Sequence, residues 1–152
     1  MSTKLESKGK IPPNPYNEHA WVIGNPEIGK DVWIGAFTVI DGSGGLKIGD
    51  GCDVSCGVHI YTHSTVKRCV SGRKYPDVDR AQVEIGDHVF LGANSIILKG
   101  VKIGHHSVIG AGSVVLENTD IPPYSIVVGS PARVVKTGKE EIIKMWEGDQ
   151  IS

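Results

Sequence analysis

Hydrophobic residues recur at every sixth position between residues 85 and 127. The residues that open these six-residue segments are Ile85, Leu91, Ile97, Ile103, Ile109, Val115, Ile121 and Val127. The fifth position of each segment is small or β-branched, as in Val89, Ser95 and Val101. Neither an α-helix, with a period of 3.6, nor an alternating strand, with a period of two, gives strict recurrence at six. A fixed short period is typical of a stacked repeat, in which each unit buries its apolar side against its neighbours.

The fourth position of each segment predicts a turn. In this stretch the fourth residues are His88, Asn94, Gly100, His106, Gly112, Asn118 and Tyr124. Gly, Asn, Asp and His are the residues that best tolerate a positive φ angle, and a type II turn needs such a residue at its third position. Each segment is therefore predicted to be a short strand followed by a turn. Three turns close a coil of about eighteen residues, and coils stacked roughly 4.8 Å apart form a triangular prism of parallel strands.

The same spacing continues upstream, with two interruptions. Segments open at Ile28, Ile34, Ile40, Ile48, Val54 and Ile60. Where the segments are regular, their fourth residues are Asp31, Phe37, Gly51 and Gly57, among which Phe37 is the one poor fit. The register breaks first in the sequence DGSGGLK after Ile40, and again after Ile60, where a loop over residues 63–83 is predicted to project from the prism. We predict an N-terminal arm, extended or disordered, over residues 1–20 and a prism over residues 21–136. Residues 137–152 are predicted to be a helix and tail, and the helix could cap the open end of the prism.

Counting three segments per coil assigns the aliphatic residues to three walls, if the long loop returns to the first wall. The first wall holds Ile28, Ile48, Ile85, Ile103 and Ile121; the second holds Ile34, Val54, Leu91, Ile109 and Val127; the third holds Ile40, Ile60, Ile97 and Val115. The residue before each of these points outward, because side chains alternate in a strand. These outward residues are charged on the first wall and mostly apolar on the other two. Monomers rarely expose such stripes, so we predict a homotrimer that hides two walls.

Composition narrows the function classes. A chain of 152 residues is expected to be one domain, and its net charge of −1 gives no electrostatic case for binding nucleic acid or a membrane. No apolar run approaches the ~18 residues of a membrane span, and the N-terminus lacks the apolar core of a signal peptide. The three cysteines follow no metal or redox spacing. We therefore expect a cytoplasmic location.

Four sequence segments carry a resemblance to a known family: GVHIYTH, VEIGDHVFLGANSIIL, VIGAGSVV and IPPYSIVVGSPARVVK. Over residues 22–136 the chain resembles the hexapeptide-repeat acyltransferases, and within them the galactoside, maltose and polysaccharide O-acetyltransferase branch. The resemblance implies an all-β fold, a left-handed parallel β-helix, although parallel crossovers are usually right-handed. It also implies acetyl-CoA as co-substrate, without a metal. In this family a histidine at the start of the projecting loop is the catalytic base, and here that residue is His63. The positions of Ala93 and Ala111 contact coenzyme A in the family, and those of Arg133 and Lys136 lie near its phosphate end.

The residues themselves support part of this assignment. A histidine can remove the proton of an acceptor hydroxyl or amine at neutral pH. Both register breaks leave the corner after the third wall in successive coils, so Asp41 and Ser43 are expected about one coil from His63. They are predicted to line the acceptor pocket, with a simple Gly- and Asp-rich turn as the alternative. His59 points outward on the third wall and could support His63 or merely pack; packing is expected.

Another corner, between the second and third walls, carries only small residues, namely Ala36, Cys56, Ala93 and Ala111. A groove lined in this way would admit a thin chain such as pantetheine.

Four functions remain open. The first is O-acetylation of a sugar or sugar-derived acceptor in surface-polysaccharide biosynthesis. The second is N-acetylation of a nucleotide-linked amino sugar, whose diphosphate would meet Lys67, Arg68, Arg73 and Lys74. A non-catalytic scaffold is a more distant alternative. A zinc hydrolyase of the γ-carbonic anhydrase type is disfavoured, because Ala93 stands where that class has a histidine ligand.

Overall fold

Three parallel sheets form the walls of a β-solenoid in the computed structural model, which describes residues 11–147. The first wall contains β2 (Glu27–Ile28), β5 (Leu46–Ile48), β10 (Val83–Ile85), β13 (Lys102–Ile103) and β16 (Asp120–Ile121). The second contains β3 (Trp33–Ile34), β6 (Asp53–Val54), β11 (Phe90–Leu91), β14 (Val108–Ile109), β17 (Ser125–Gly129) and β18 (Ala132–Thr137). The third contains β1 (Trp21–Ile23), β4 (Val39–Asp41), β7 (His59–Ile60), β12 (Ile96–Ile97) and β15 (Val114–Val115). The three predicted walls are confirmed.

Strand register confirms that the long loop returns to the first wall. Strand β10 pairs in parallel with β5, so Ile85 lies beside Ile48. The aliphatic residues that open the segments point into the prism, where Ile40, Ile60 and Ile97 have no exposed surface. This continuous column of branched side chains is the hydrophobic core, and its burial supplies the main driving force for stacking the coils.

The fourth position of each segment has the left-handed backbone that the sequence predicts. Values of φ include 54° at His88, 60° at Asn94 and 77° at Gly100. Phe37 also adopts this conformation, with a φ angle of 61°, although it lacks the side chain chemistry that favours it. Its ring stacks on His19 with 5.6 Å between the ring centroids.

The projecting loop contains regular structure of its own. Strands β8 (His63–Ser64) and β9 (Asp79–Arg80) pair antiparallel at its base, and His63 lies opposite Arg80. A short helix, α1 (Val66–Val70), follows β8. The ammonium groups of Lys67, within the helix, and Lys74, beyond it, lie 4.5 Å and 5.4 Å from the centre of the Tyr75 ring. The hairpin therefore fixes the position at which His63 leaves the prism.

The C-terminal segment folds back along the prism. Strand β18 pairs antiparallel with β17. The predicted helix, α2 (Lys139–Glu147), buries Ile142 and borders a groove of about 370 Å³ that it shares with Phe90 and Val108 of the second wall. The helix thus lies on the flank of the second wall, whereas the sequence suggested that it could cap the open end. Neither helix in the described region, residues 11–147, is long and apolar enough to cross a bilayer.

The last residues of the predicted N-terminal arm form an ordered turn. The Asn14 carboxamide accepts hydrogen bonds from the backbone N–H groups of Tyr16 and Asn17, and donates to the carbonyls of Asn17 and Ala20. Ala20 is completely buried, and Tyr16 packs against the hydrophobic core. Residues 1–10 of the predicted arm and residues 148–152 of the predicted tail lie outside the described residues.

Candidate active site

The two interruptions of the repeat meet at one corner of the prism, as the sequence predicts. Strand β4 lies beside β7, so the end of β4 at Asp41 is next to the start of the projecting loop. The backbone N–H of Thr62 donates a 2.9 Å hydrogen bond to the Asp41 carboxylate. This corner, between the third and first walls, brings together Asp41, Ser43 and His63.

A histidine–carboxylate pair occupies this corner. The Nδ1 atom of His63 lies 2.5 Å from Oδ2 of Asp41. The Asp41 side chain is fully buried, whereas the His63 side chain is 35% exposed. An ionised carboxylate only accepts hydrogen bonds, so Nδ1 of His63 must be the donor. In the neutral imidazole this leaves Nε2 without a proton and available as a base.

Hydrogen bonds hold the Asp41 carboxylate in its ionised form. Burial alone would raise the pKa of Asp41, but hydrogen bonds from Ser43, Thr62 and His63 outweigh burial and bring the pKa well below its usual range. The backbone N–H of Ser43 donates to Oδ1 at 2.9 Å. Thr62 also donates from its hydroxyl to the Asp41 backbone carbonyl at 2.9 Å. Asp41 is therefore an anionic partner for His63 at neutral pH.

These contacts change the role expected for Asp41. Sequence reasoning placed its carboxylate in the acceptor pocket, but both carboxylate oxygens are engaged inside the protein and the side chain has no exposed surface. Ser43, in contrast, is exposed at the rim of the corner, and its contact with the acceptor stays a prediction.

Sequence reasoning missed Thr62 in this network. The Thr62 hydroxyl accepts a 2.8 Å hydrogen bond from the N–H of Gly44. A Cβ atom on Gly44 would lie only 2.2 Å from the Thr62 carbonyl oxygen, so the DGSGG turn needs glycine there in order to approach Thr62.

The corner between the second and third walls forms a column of small side chains. Cys56, Ala93 and Ala111 are exposed there, while Ala36 is half-buried. Successive coils are joined along this column by hydrogen bonds from Asn94 N–H to the Cys56 carbonyl, and from Gly112 N–H to the Ala93 carbonyl. Because its side chains are short, the corner leaves room for a thin extended ligand against the backbone.

The predicted basic residues lie on β18, at different distances from this column. Ile109 pairs with Val127, so Ala111, two residues further along, lies beneath Gly129. Arg133 lies opposite Val128, the residue before Gly129. Arg133 is thus near the C-terminal end of the column. Lys136 lies three residues further along β18, with its ammonium group 3.8 Å from the Glu141 carboxylate of α2.

The small-residue column and the Asp41–His63 pair occupy different corners of the same chain. The third wall separates them, since the chain turns at Cys56 and Gly57 and then crosses that wall to Thr62, a span of roughly 15 Å. A single chain therefore does not bring the predicted coenzyme A residues next to His63.

A groove of about 640 Å³ lies elsewhere, on the first wall. It is lined by glycines and by charged residues such as Lys47, Asp50 and Asp87, and it does not include His63. We assign the candidate site to the His63 corner, because a histidine oriented by a buried carboxylate is suited to general-base chemistry.

Within residues 11–147, no group of three or more His, Cys, Asp or Glu side chains could hold a metal ion.

Comparison with known proteins agrees with this architecture. The family model described as the hexapeptide repeat of succinyl-transferase matches residues 27–62 and 82–117. No curated protein matches the sequence. Among solved structures, a hexapeptide-repeat acetyltransferase from Vibrio cholerae is 32% identical with a TM-score of 0.64, and the match covers 74% of this chain and 62% of the Vibrio protein.

Two further structures broaden the comparison. A maltose O-acetyltransferase from Clostridium difficile is 32% identical with a TM-score of 0.62, over 76% of this chain and 65% of that one. A single-site mutant of AntD, an N-acyltransferase from Bacillus cereus, was solved with dTDP and coenzyme A; it is 27% identical with a TM-score of 0.71, over 88% of this chain and 75% of AntD. The chain thus carries the hexapeptide repeat that these acyltransferases contain, and its fold is the left-handed parallel β-helix that the sequence predicts.

Proposed function

We propose that the protein transfers an acetyl group from acetyl-CoA to a hydroxyl of a sugar or sugar-derived acceptor, in surface-polysaccharide biosynthesis. The observation that carries this proposal is the Asp41–His63 pair at the base of the projecting loop. Similarity to the Vibrio acetyltransferase and to the maltose O-acetyltransferase supports acetyl transfer.

His63 acts as the general base in this proposal. Its Nε2 accepts the proton of the acceptor hydroxyl as that oxygen attacks the thioester carbonyl carbon. A C–O bond forms and the C–S bond breaks, and the proton held by His63 then passes to the thiolate of coenzyme A. Asp41 keeps Nδ1 protonated and stabilises the imidazolium that forms. Asp41 is therefore a positioning residue.

The acyl donor would lie along the small-residue column, with its pantetheine arm against Ala93 and Ala111. Arg133 lies near one end of the column, and its planar guanidinium suits phosphate. Lys136 already has Glu141 as an ionic partner, so we expect it to contribute less than Arg133.

The proposal includes a homotrimer, because the two corners lie on opposite sides of the third wall. In a closed threefold ring, the small-residue column of one copy can face the His63 corner of the next. The apolar outer side chains of the third wall, Val39, Ile96 and Val114, would then be buried between copies.

Replacement of His63 by alanine tests the assignment. We expect His63→Ala to lower kcat by roughly 10²–10⁴-fold, because the attacking hydroxyl would lose its base. Acetyl-CoA affinity, measured by calorimetry, should stay unchanged. His105→Ala, which removes an exposed histidine on another corner, should keep wild-type kcat. Wild-type kcat in His63→Ala would refute the proposed mechanism.

A second candidate function is N-acetylation of a nucleotide-linked amino sugar. The projecting loop carries Lys67, Arg68, Arg73 and Lys74, and none of them takes part in the ion pairs found within residues 11–147. A diphosphate would supply the missing negative charge. A single-site mutant of AntD, crystallised with dTDP-4-amino-4,6-dideoxyglucose and coenzyme A, covers 89% of the chain.

The pH profile of His63→Ala separates the two candidates. An amine can lose its proton to water before attack, so with an amino acceptor the variant should regain rate as pH rises towards about 9. With a hydroxyl acceptor the base is needed at every pH, and the variant should stay slow. The profile is measured with acetyl-CoA and a panel of free sugars and nucleotide-linked amino sugars.

A further inference from the structure

Three aromatic side chains follow one another on the outside of the third wall as it approaches the candidate site. His59, Tyr61 and His63 alternate along the chain, so their side chains point to the same side. All three are half-buried in the isolated chain. The backbone N–H of Tyr61 donates a 2.8 Å hydrogen bond to the Ile97 carbonyl, which fixes Tyr61 to the neighbouring coil.

Tyr61 contacts both histidines. Its ring meets the His63 imidazole edge to face, with 6.2 Å between the centroids and an interplanar angle of 85°. Its hydroxyl lies 3.0 Å from Nδ1 of His59. The His59 and Tyr61 rings are also nearly perpendicular, at 86° and 5.8 Å. Perpendicular aromatic pairs at these distances are attractive, so each ring restrains the orientation of the next.

The Asp41 bond alone does not fix the His63 ring. One hydrogen bond at Nδ1 leaves the imidazole free to rock about that contact, and this moves Nε2, which is the atom that must meet the acceptor proton. Tyr61 restrains the ring on its outer side, while Asp41 holds it from the inside.

We propose that Tyr61, tethered by His59, is a positioning residue that keeps the Nε2 atom of His63 in the orientation required for proton removal. The proposal rests on the assignment of His63 as the base. It gives His59 a supporting role through Tyr61, in place of the simple packing expected from the sequence.

Three variants separate the ring of Tyr61 from its tether. Tyr61→Ala removes both, and kcat should fall about 10- to 100-fold, as expected when a reacting group is displaced by about an ångström. Tyr61→Phe keeps the ring but loses the hydrogen bond, so we expect a smaller loss of about 3-fold. His59→Ala breaks the same bond from its other end and should match Tyr61→Phe. Tyr124→Phe, a change on another corner, is the matched control and should leave kcat unchanged.

A double-mutant cycle tests the tether directly. Tyr61→Phe combined with His59→Ala should be no slower than either single variant, because both remove one shared interaction. If the loss of kcat in the double variant equals the product of the two single losses, the His59–Tyr61 hydrogen bond does not act as a tether. Acceptor KM should stay constant throughout, since a positioning residue acts on the chemical step. A raised acceptor KM with an unchanged kcat would overturn the proposal and make Tyr61 a substrate-binding residue.

The orientation of the His63 ring can be measured by NMR independently of the reaction that the protein catalyses. Imidazole ¹H–¹⁵N correlation spectra of the wild-type protein should show one ordered His63 ring with Nδ1 protonated. In Tyr61→Ala the His63 signals should shift or broaden, while those of His88 and His106 stay in place. Unchanged His63 signals together with unchanged kcat would overturn the inference. If His63→Ala keeps full activity but Tyr61→Ala still disturbs the ring, the proposed base is wrong and the contact is structural only.

Discussion

Asp41 is the residue on which the candidate site depends, because it is both fully buried and ionised. Its hydrogen bonds with Ser43, Thr62 and His63 outweigh the cost of burial and lower its pKa. The native state therefore binds a proton at this carboxylate less readily than the unfolded chain does. By linkage, ionised Asp41 stabilises the fold above the unfolded pKa near 3.9, and this contribution declines as pH falls below that value.

Replacement of Asp41 by asparagine should show this linkage. At pH 7 we expect Asp41→Asn to lower the free energy of unfolding by about 1–3 kcal/mol, since the amide leaves buried donors without a charged acceptor. The difference from wild type should shrink as pH is lowered from about 5 towards 2, because the unfolded wild-type chain then gains a proton at Asp41 that the native state does not bind. Urea unfolding at several pH values measures both effects.

A matched control for this variant is Asp53→Asn, an exposed carboxyl on the second wall, which should change stability by less than about 0.5 kcal/mol. A loss in Asp41→Asn that stays constant with pH would contradict the linkage.

Among the elements, the first wall carries a row of charges that alternate in sign from coil to coil. Strand register places Glu27 beside Lys47, Lys47 beside Glu84, and Glu84 beside Lys102; Lys102 is followed by Asp120. Opposite charges on neighbouring strands stabilise a sheet, whereas like charges directly opposite each other destabilise it. In a parallel stack, the favourable charge at each position of this wall therefore depends on the charges at the matching positions of the two neighbouring coils.

Reversal of one charge in this row should destabilise the solenoid. Lys47→Glu would place three carboxylates in register, and we expect a loss of about 0.5–2 kcal/mol from two repulsive contacts. The loss should diminish in about 1 M salt, where the Debye length is only about 3 Å. Thermal unfolding at low and high salt measures the effect, with Lys47→Gln as the neutral control of intermediate stability. A loss that does not respond to salt would mean that packing, and not charge, is the cause.

Periodicity explains which elements could be predicted from the sequence. The walls, the core and the left-handed turns at His88, Asn94 and Gly100 repeat every six residues, so each coil reinforces the evidence from the others. Helix α2 was predicted as a helix from its amphipathic pattern, but its docking beside Phe90 and Val108 depends on the path of the chain after β18, which no repeat specifies.

The candidate site could be predicted only in part for the same reason. Counting three segments per coil predicted that the two interruptions of the repeat meet at one corner. The bond between Asp41 and His63 joins side chains 22 residues apart, at the two points where the chain leaves the six-residue repeat for a loop. Thr62 and Tyr61 gave no sequence signal, because their roles depend on those loop conformations.

At the scale of the whole molecule, the two halves of the proposed site lie on separate corners of each chain. The small-residue column ends near Arg133 on one side of the third wall, and Asp41 and His63 lie on the other. Helix α2 already covers part of the second wall. The apolar row of the third wall, with Ile96 at its centre, is therefore the surface that we expect at the centre of the trimer contact.

Charge at the centre of that row should prevent assembly. Ile96→Glu would bury an unpaired carboxylate between copies, which is strongly unfavourable. Light scattering at micromolar concentration should then detect monomers. Lys102→Glu, on the charged first wall, should remain trimeric. A trimeric Ile96→Glu protein would show that the third wall is not the interface.

Subunit mixing then tests whether each site is shared between copies. His63→Ala lacks the base, and Ala93→Trp should block the small-residue column, so each variant alone should be inactive. If one copy supplies the base and its neighbour the column, random mixed trimers contain some sites with both parts intact. In a closed threefold ring formed from equal amounts of the two variants, about a quarter of all sites are intact. Reassembly from denaturant should therefore restore roughly a quarter of wild-type kcat. If native mass spectrometry shows that trimers contain both chains and activity still does not recover, the site lies within one chain.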